Sequence, residues 1–221
     1  IGTVILPQLS KHIQNDSKSE INLIQNKALE LSLFLSVPAM VALLIASEEI
    51  VSALFGYGSF AEESVINSAK ALFFFGLGLP AFSLIKVFSS FFFAYHNTKV
   101  PFYISLFSVI LNISISIIYF SKIGFIIIPI ATSISAWFNS ILLLIFLKKH
   151  NLFIFSSIFF KRFIKIIFAS IIMGIFFYFL INFFSSNLGY TENLKSIYLI
   201  LIVLFALILY ILVSIFIKAF Q

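Results

Sequence analysis

The sequence predicts an all-α polytopic membrane protein with six full transmembrane helices and a truncated first helix. Three observations carry this. First, 62% of the 221 residues are hydrophobic and only 10% are charged, whereas a soluble domain carries about 45–50% apolar and about 25% charged residues. So few charges cannot cover a water-facing surface, and a disordered chain would be poor in apolar residues rather than rich. Second, the apolar residues fall into long runs, each about the ~20 residues that cross a hydrocarbon core. Third, these runs are apolar all round and too long for the alternating strands of about ten residues that build a membrane barrel.

The runs are Ala28–Ala46, Ala69–Tyr95, Val100–Phe120, Ile123–Leu147, Phe163–Phe184 and Ser196–Ile217. Ile1–Pro7 reads as the last turns of an earlier helix, so the chain is expected to begin inside a larger protein. No charged segment precedes a short apolar run, so no signal peptide is read. Ser17-x-x-Glu20 has the form of a capping box opening the helix that enters the membrane near Ala28. Pro38 should kink that helix. Gly56-Tyr57-Gly58 marks a turn. In the next run, Gly76, Gly78 and Pro80 should weaken or bend the helix. His96-Asn97-Thr98-Lys99 before Pro101 reads as a tight turn, because the residue before proline disfavours helix. Asn151–Phe160 is apolar but short. With Lys148, Lys149, Lys161, Arg162 and Lys165 around it, it is expected either in the membrane interface, held partly by anionic lipid, or as an ordinary loop. Ser170-x-x-x-Gly174 allows close helix packing, and the last two runs are otherwise almost wholly apolar.

Loop charges give an orientation. Alternate loops place Lys11, Lys18, Lys99, Lys148, Lys149, Lys161, Arg162, Lys165 and Lys218 on one side, and Lys122 and Lys195 on the other, with Lys70 at a helix mouth. The Lys-rich side is therefore expected to be cytoplasmic, with the C-terminus inside. Glu48, Glu49, Glu62 and Glu63 fall outside.

Several function classes are excluded or disfavoured. With no Cys, disulfide frameworks and Cys nucleophiles are absent. The net charge of +6 does not point to nucleic acid, because the Lys residues sit in short clusters between apolar runs. His12, His96 and His150 lie in loops without metal-ligand spacing, and no Gly-rich phosphate loop appears. No catalytic residue and no metal site is read, and the protein is not expected to be an enzyme. The 31 Phe residues fit an A+T-rich genome and are not read as an aromatic binding device.

Embedded polar groups carry the remaining information, because they are costly in a membrane. Lys86 lies ~14 Å along the helix from Tyr95, at a rise of about 1.5 Å per residue, which is near mid-membrane. It is a candidate cation of a wet cavity that attracts an anionic substrate; the alternative is a structural Lys bonded to carbonyls exposed by the Pro80 bend. Ser105, Ser108, Asn112 and Ser116 share one face of the third run, and Thr132, Ser135 and Asn139 one face of the fourth. These stripes face a cavity or hydrogen-bond to each other. Lys86, Asn112 and Asn139 are the candidate substrate-binding residues.

The order of motifs resembles a known family. Thr3-Val4-Ile5-Leu6-Pro7-Gln8-Leu9-Ser10, Val37-Pro38-Ala39 and Leu54-Phe55-Gly56-Tyr57-Gly58-Ser59-Phe60 are followed by Lys86-Val87 and Phe93-Ala94-Tyr95-His96-Asn97-Thr98-Lys99-Val100-Pro101. Asn112-Ile113 and Ala131-Thr132-Ser133 with Asn139 complete the pattern. This resembles the MurJ/MviN family of bacterial lipid II flippases. Tyr57 and Asn97 depart from it, standing where the family often has a basic residue and usually an Asp.

The resemblance implies the C-terminal portion of a fourteen-helix, two-lobe exporter fold around a cationic cavity. Residues 1–160 would be C-terminal lobe helices, and residues 161–221 the final two helices, which form a hydrophobic groove for a lipid tail. It implies a lipid-linked anionic substrate, membrane lipids and the N-terminal lobe of the same protein as partners, and the bacterial inner membrane as location. It further implies candidate cation ligands at Asn112, Ser116, the carbonyl of Ile128 and Thr132; sodium or the membrane potential would then contribute, and no other cofactor is implied. The family's cavity arginines lie upstream of Ile1. Rival readings are a flippase for an O-antigen or capsule unit, and a non-transporting membrane scaffold.

Overall fold

The computed structural model describes residues 2–14 and 17–219, and every regular element among them is helical. In chain order these are α1 (Gly2–Gln14), α2 (Lys18–Ile45), α3 (Ser47–Phe55), α4 (Glu62–Ala94), α5 (Lys99–Ile123), α6 (Ile127–Lys149), α7 (Ser157–Phe183) and α8 (Lys195–Phe216). Ile1 lies outside the described residues, and α1 continues past Pro7. Five stretches are long and apolar enough to cross a membrane: α2, α4, α7, α8 and Lys99–Lys149. The last holds two helices. The chain turns at Gly124, with φ +73°, passes through a single 3-10 turn, and α6 returns along α5. Hydrogen bonds from Asn112 to Thr132 and from Asn139 to Ser105 fix the pair as an antiparallel hairpin. Each of the six apolar runs thus has its helix, and α3 is a short extra helix between two of them.

One local expectation changes, and two prolines are carried within unbroken helices. The capping box at Ser17 does not form: the Ser17 side chain makes no cap bond. Its N–H and Oγ both donate to the His12 carbonyl, at 3.2 Å each, satisfying a carbonyl in the last turns of α1. Pro38 does not interrupt α2. Proline has no N–H to give the carbonyl four residues back, and Tyr210 Oη donates to that carbonyl, Phe34 O, at 2.7 Å. A defect in α2 thereby becomes a tie to α8. The Gly76–Pro80 run does not break α4, which is continuous from Glu62 to Ala94. Its glycines instead admit neighbours: a Cβ on Gly78 would stand 2.6 Å from Ser133 Oγ of α6.

The same device operates at Gly174, where a Cβ would stand 2.6 Å from Val41 Cγ1. Valine is stiff at χ1 and cannot move aside cheaply, so Gly174 sets the close approach of α7 to α2. Ser170 Oγ, one turn earlier, donates within its own helix to Ile166 O.

At the Lys-rich end, the Asn151–Phe160 stretch is held by protein. Gln25 donates to Leu152 O, and Asn26 brackets the chain by donating to Ile154 O and accepting from Ser156 N, all at 2.9–3.0 Å. Phe153, 2% exposed, stacks on Phe91 of α4. Ser156 then caps α7 by accepting from Phe159 N, and Arg162 pairs with Glu30 at 2.7 Å, the only ion pair among the described residues.

The opposite end is closed by Lys195. It is 1% exposed. Its ammonium donates to Gly56 O at 2.7 Å and Tyr190 O at 2.6 Å, and lies 4.4 Å and 4.8 Å from the rings of Tyr57 and Tyr190. Two carbonyls and two aromatic faces replace a carboxylate partner. Nearby, burial holds the Glu49 carboxyl above its ordinary range; its backbone hydrogen bond opposes this and the Glu48 charge reinforces it.

Candidate functional site

Helix α6 packs against both α4 and α5, while α4 and α5 scarcely touch although they are consecutive in sequence. The tight Tyr95–Thr98 turn explains how they separate. His96 sits in the left-handed region at φ +57°, and Asn97 Oδ1 accepts from Val100 N to start α5. Between α4 and α5 an open groove of ≈ 360 Å³ remains, floored by α6.

Two bonds set the register of α4 against α6. Ser133 Oγ donates to Phe74 O at 2.6 Å and Trp137 Nε1 to Leu77 O at 2.9 Å. These residues point toward α4, and the neighbouring Thr132, Ser135 and Asn139 face the groove. They line it with Ser105, Ser108 and Asn112 from α5 and with Phe82 and Ile85 from α4. The two polar stripes seen in the sequence therefore meet in one groove.

The hydrogen bonds there form a directed network. Thr132 Oγ1 donates to Ile128 O at 2.8 Å and Ser135 Oγ to Thr132 O at 3.0 Å. Each hydroxyl has one proton, so both present lone pairs to Asn112. The Asn112 amide must then offer its nitrogen, at 3.1 Å and 3.4 Å. Asn139 Nδ2 reaches Ser105 Oγ at 3.4 Å, a weak bond, and the buried Asn139 Oδ1 has no partner among the described residues. Ser116 Oγ, also buried, has none either.

Of the candidate cation ligands, Asn112, Thr132 and the Ile128 carbonyl come together, and Ser116 lies one turn along α5. Their present donor set does not fit a cation. The Ile128 oxygen is occupied, Asn112 presents N–H, and no carboxylate joins them. No group of three or more His, Cys, Asp or Glu able to hold a metal occurs among the described residues.

Lys86 sits on α4 next to Ile85 and in helical register with Phe82, both of which line the groove, but it is not itself among the lining residues. Its side chain is exposed, and no described residue pairs with it. The Pro80 carbonyl partners envisaged in the alternative reading are absent: the bonds to α4 carbonyls in that region come from Ser133 and Trp137.

The model of the family "Lipid II flippase MurJ" matches residues 1–199. The chain belongs to the MurJ lipid II flippase family. A probable lipid II flippase MurJ of Rickettsia prowazekii is 36% identical over 158 residues, covering 71% of this chain and 31% of the relative. One from Thermotoga maritima is 33% identical over 210 residues, 95% of this chain and 40% of the relative. A solved structure described as "Lipid II flippase MurJ, inward closed conformation" matches with a TM-score of 0.78 and 28% identity, over 99% of this chain and 42% of that one. The chain thus spans about a third of the length of the curated MurJ relatives it matches, and the fold is a portion of the MurJ fold.

Sequence reasoning missed three residues at the ends of the bundle. Lys195 reads as a solvated loop residue, because nothing local reveals the aromatic pair that buries it. Glu30 and Arg162 carry a signal that was legible. Glu30 falls just inside the apolar run at Ala28, Arg162 is the only arginine, and a carboxylate in such a run needs a cation.

Proposed function

We propose that the native protein moves lipid-linked peptidoglycan precursor, lipid II, from the inner to the outer leaflet of the bacterial inner membrane. This chain supplies the C-terminal lobe helices and the final helix pair, with the Lys-rich end and the C-terminus cytoplasmic. An N-terminal lobe completes the cavity, and transport proceeds by alternating access as the lobes rock about a central site. No covalent step is involved.

The observation that carries this reading is Lys86: an exposed, unpaired ammonium deep in an apolar run, beside a polar groove. An ammonium in such surroundings attracts a pyrophosphate more strongly than one in water, because the local dielectric is low. Asn112 and Asn139 supply polar contacts for the headgroup. The exposed apolar faces of α7 and α8, including Phe168, Phe179, Leu204 and Phe205, provide a surface for the polyprenyl tail.

The test is transport of lipid II by the native protein in proteoliposomes. Lys86→Ala should insert normally and lose most transport, and Lys86→Arg should retain part of it. Normal transport by Lys86→Ala would remove Lys86 from the site.

Asn139→Leu separates a binding role from a packing role. Its only described bond is weak and one buried oxygen is unpartnered, so the substitution should change stability by less than ~1 kcal/mol. Transport should nevertheless fall. A large drop in thermal stability with unchanged transport per folded molecule would assign Asn139 to packing.

A further inference from the structure

A second groove lies at the Lys-rich end, away from the α4–α6 site. One wall is a single face of α2 carrying Ser19, Leu23, Asn26, Lys27 and Glu30 at helical spacing; the other is the segment Ile154–Arg162 leading into α7. It measures ≈ 370 Å³. Leu23, Ile154 and Ile158 in its walls are 49%, 62% and 57% exposed.

The level of this groove is set by two independent spans. The apolar run of α2 starts at Ala28, and that of α7 at Phe163. The groove's two cations, Lys27 and Arg162, are the residues immediately before each start. Both therefore stand where hydrocarbon gives way to headgroups. Glu30, just inside, is neutralised by Arg162. That bond uses one nitrogen of a guanidinium with five N–H donors, so Arg162 keeps donors for a second anion. Lys27 is exposed and has no partner among the described residues. The combination of exposed apolar walls and cations at the interface fits an amphiphile with a negatively charged head.

We propose that this groove is a binding site for an anionic phospholipid, its phosphate held by Lys27 and Arg162 and its acyl chains lying on Leu23 and Ile158. The lipid bridges α2 and α7, the two helices that the Asn26 clamp and the Glu30–Arg162 pair already join. Zwitterionic lipids fit poorly, because a headgroup ammonium would meet the same two cations.

Lipid retention by the native protein tests this, read by native mass spectrometry after stepwise removal of detergent-exchangeable lipid. Phosphatidylglycerol should be retained over phosphatidylethanolamine. Lys27→Glu should weaken that retention about thirtyfold, because each interfacial cation contributes and the reversal counts twice. Lys149→Glu, a charge reversal at the same end outside the groove, should leave retention unchanged. Ile158→Gln should weaken retention without changing charge, and soluble glycerol 3-phosphate should fail to compete. The proposal is overturned by equal retention of the two lipids, or by equal effects of Lys27→Glu and Lys149→Glu, which mean diffuse surface attraction. It is also overturned by effective competition from glycerol 3-phosphate, which means a simple anion site, or by a silent Ile158→Gln.

Discussion

Arg162→Ala should destabilise the protein by about 3 kcal/mol, because it strands a buried carboxylate rather than merely removing a contact. Glu30 is 3% exposed and Arg162 21%, so the loss falls at the lower end of the range for breaking a buried pair. No second cation lies within ion-pair distance of Glu30 among the described residues. The double variant Glu30→Leu, Arg162→Leu should recover most of the loss, since two apolar side chains need no compensation at this depth. Thermal unfolding of the purified protein in one detergent measures both. A double variant as unstable as Arg162→Ala alone would show that the pair is not the source of the effect. The substitution should also loosen the start of α7, which the pair helps to hold on α2.

Lys195→Met should cost about 2–3 kcal/mol, from two charge-assisted bonds and two cation–π contacts. It leaves the Gly56 and Tyr190 carbonyls buried without their donor. Lys195→Arg should not rescue. The site is crowded, with Nζ only 3.1 Å from where a Cβ on Gly56 would stand, and a planar guanidinium needs more room than an ammonium. Hydrogen exchange locates the damage: protection should fall around Gly56 and Tyr190 and persist at the Asn26 clamp. Uniform loss across the chain would mean that Lys195 supports the whole bundle rather than one end.

The sequence makes the fold legible because a membrane leaves few choices. A run apolar on every side must become a helix that satisfies its own backbone, and all six runs do. The polar stripes were legible for the same reason, since Ser, Thr and Asn at helical spacing have to share a face. What was not legible depends on partners that no local rule names, most of them distant in sequence. Ser17 meets every local rule for a capping box, yet the last turn of α1, five residues away, offers it the His12 carbonyl. Gly76, Gly78 and Pro80 read as a weak or bent stretch, but nothing local shows that Ser133 and Trp137 of α6 reach the Phe74 and Leu77 carbonyls there. Pro38 reads as a helix defect, but nothing near it shows that Tyr210, far along the chain, satisfies the carbonyl it leaves. Lys195 looks like one more loop lysine until two tyrosines and two carbonyls converge on it. In the groove, the direction of the Asn112 amide follows only from which carbonyls the two hydroxyls have taken.

The role proposed for Lys86 is to attract an anionic lipid-linked substrate beside the groove between α4 and α5. Its most direct test is binding of lipid II to the native protein, compared with its Lys86→Ala variant at matched folding and insertion. Binding should weaken by about tenfold or more on loss of a charge-assisted contact in a low dielectric, and leaflet transfer should fall with it. Undiminished binding and transfer by Lys86→Ala would contradict the claim and leave this ammonium a lipid-facing passenger.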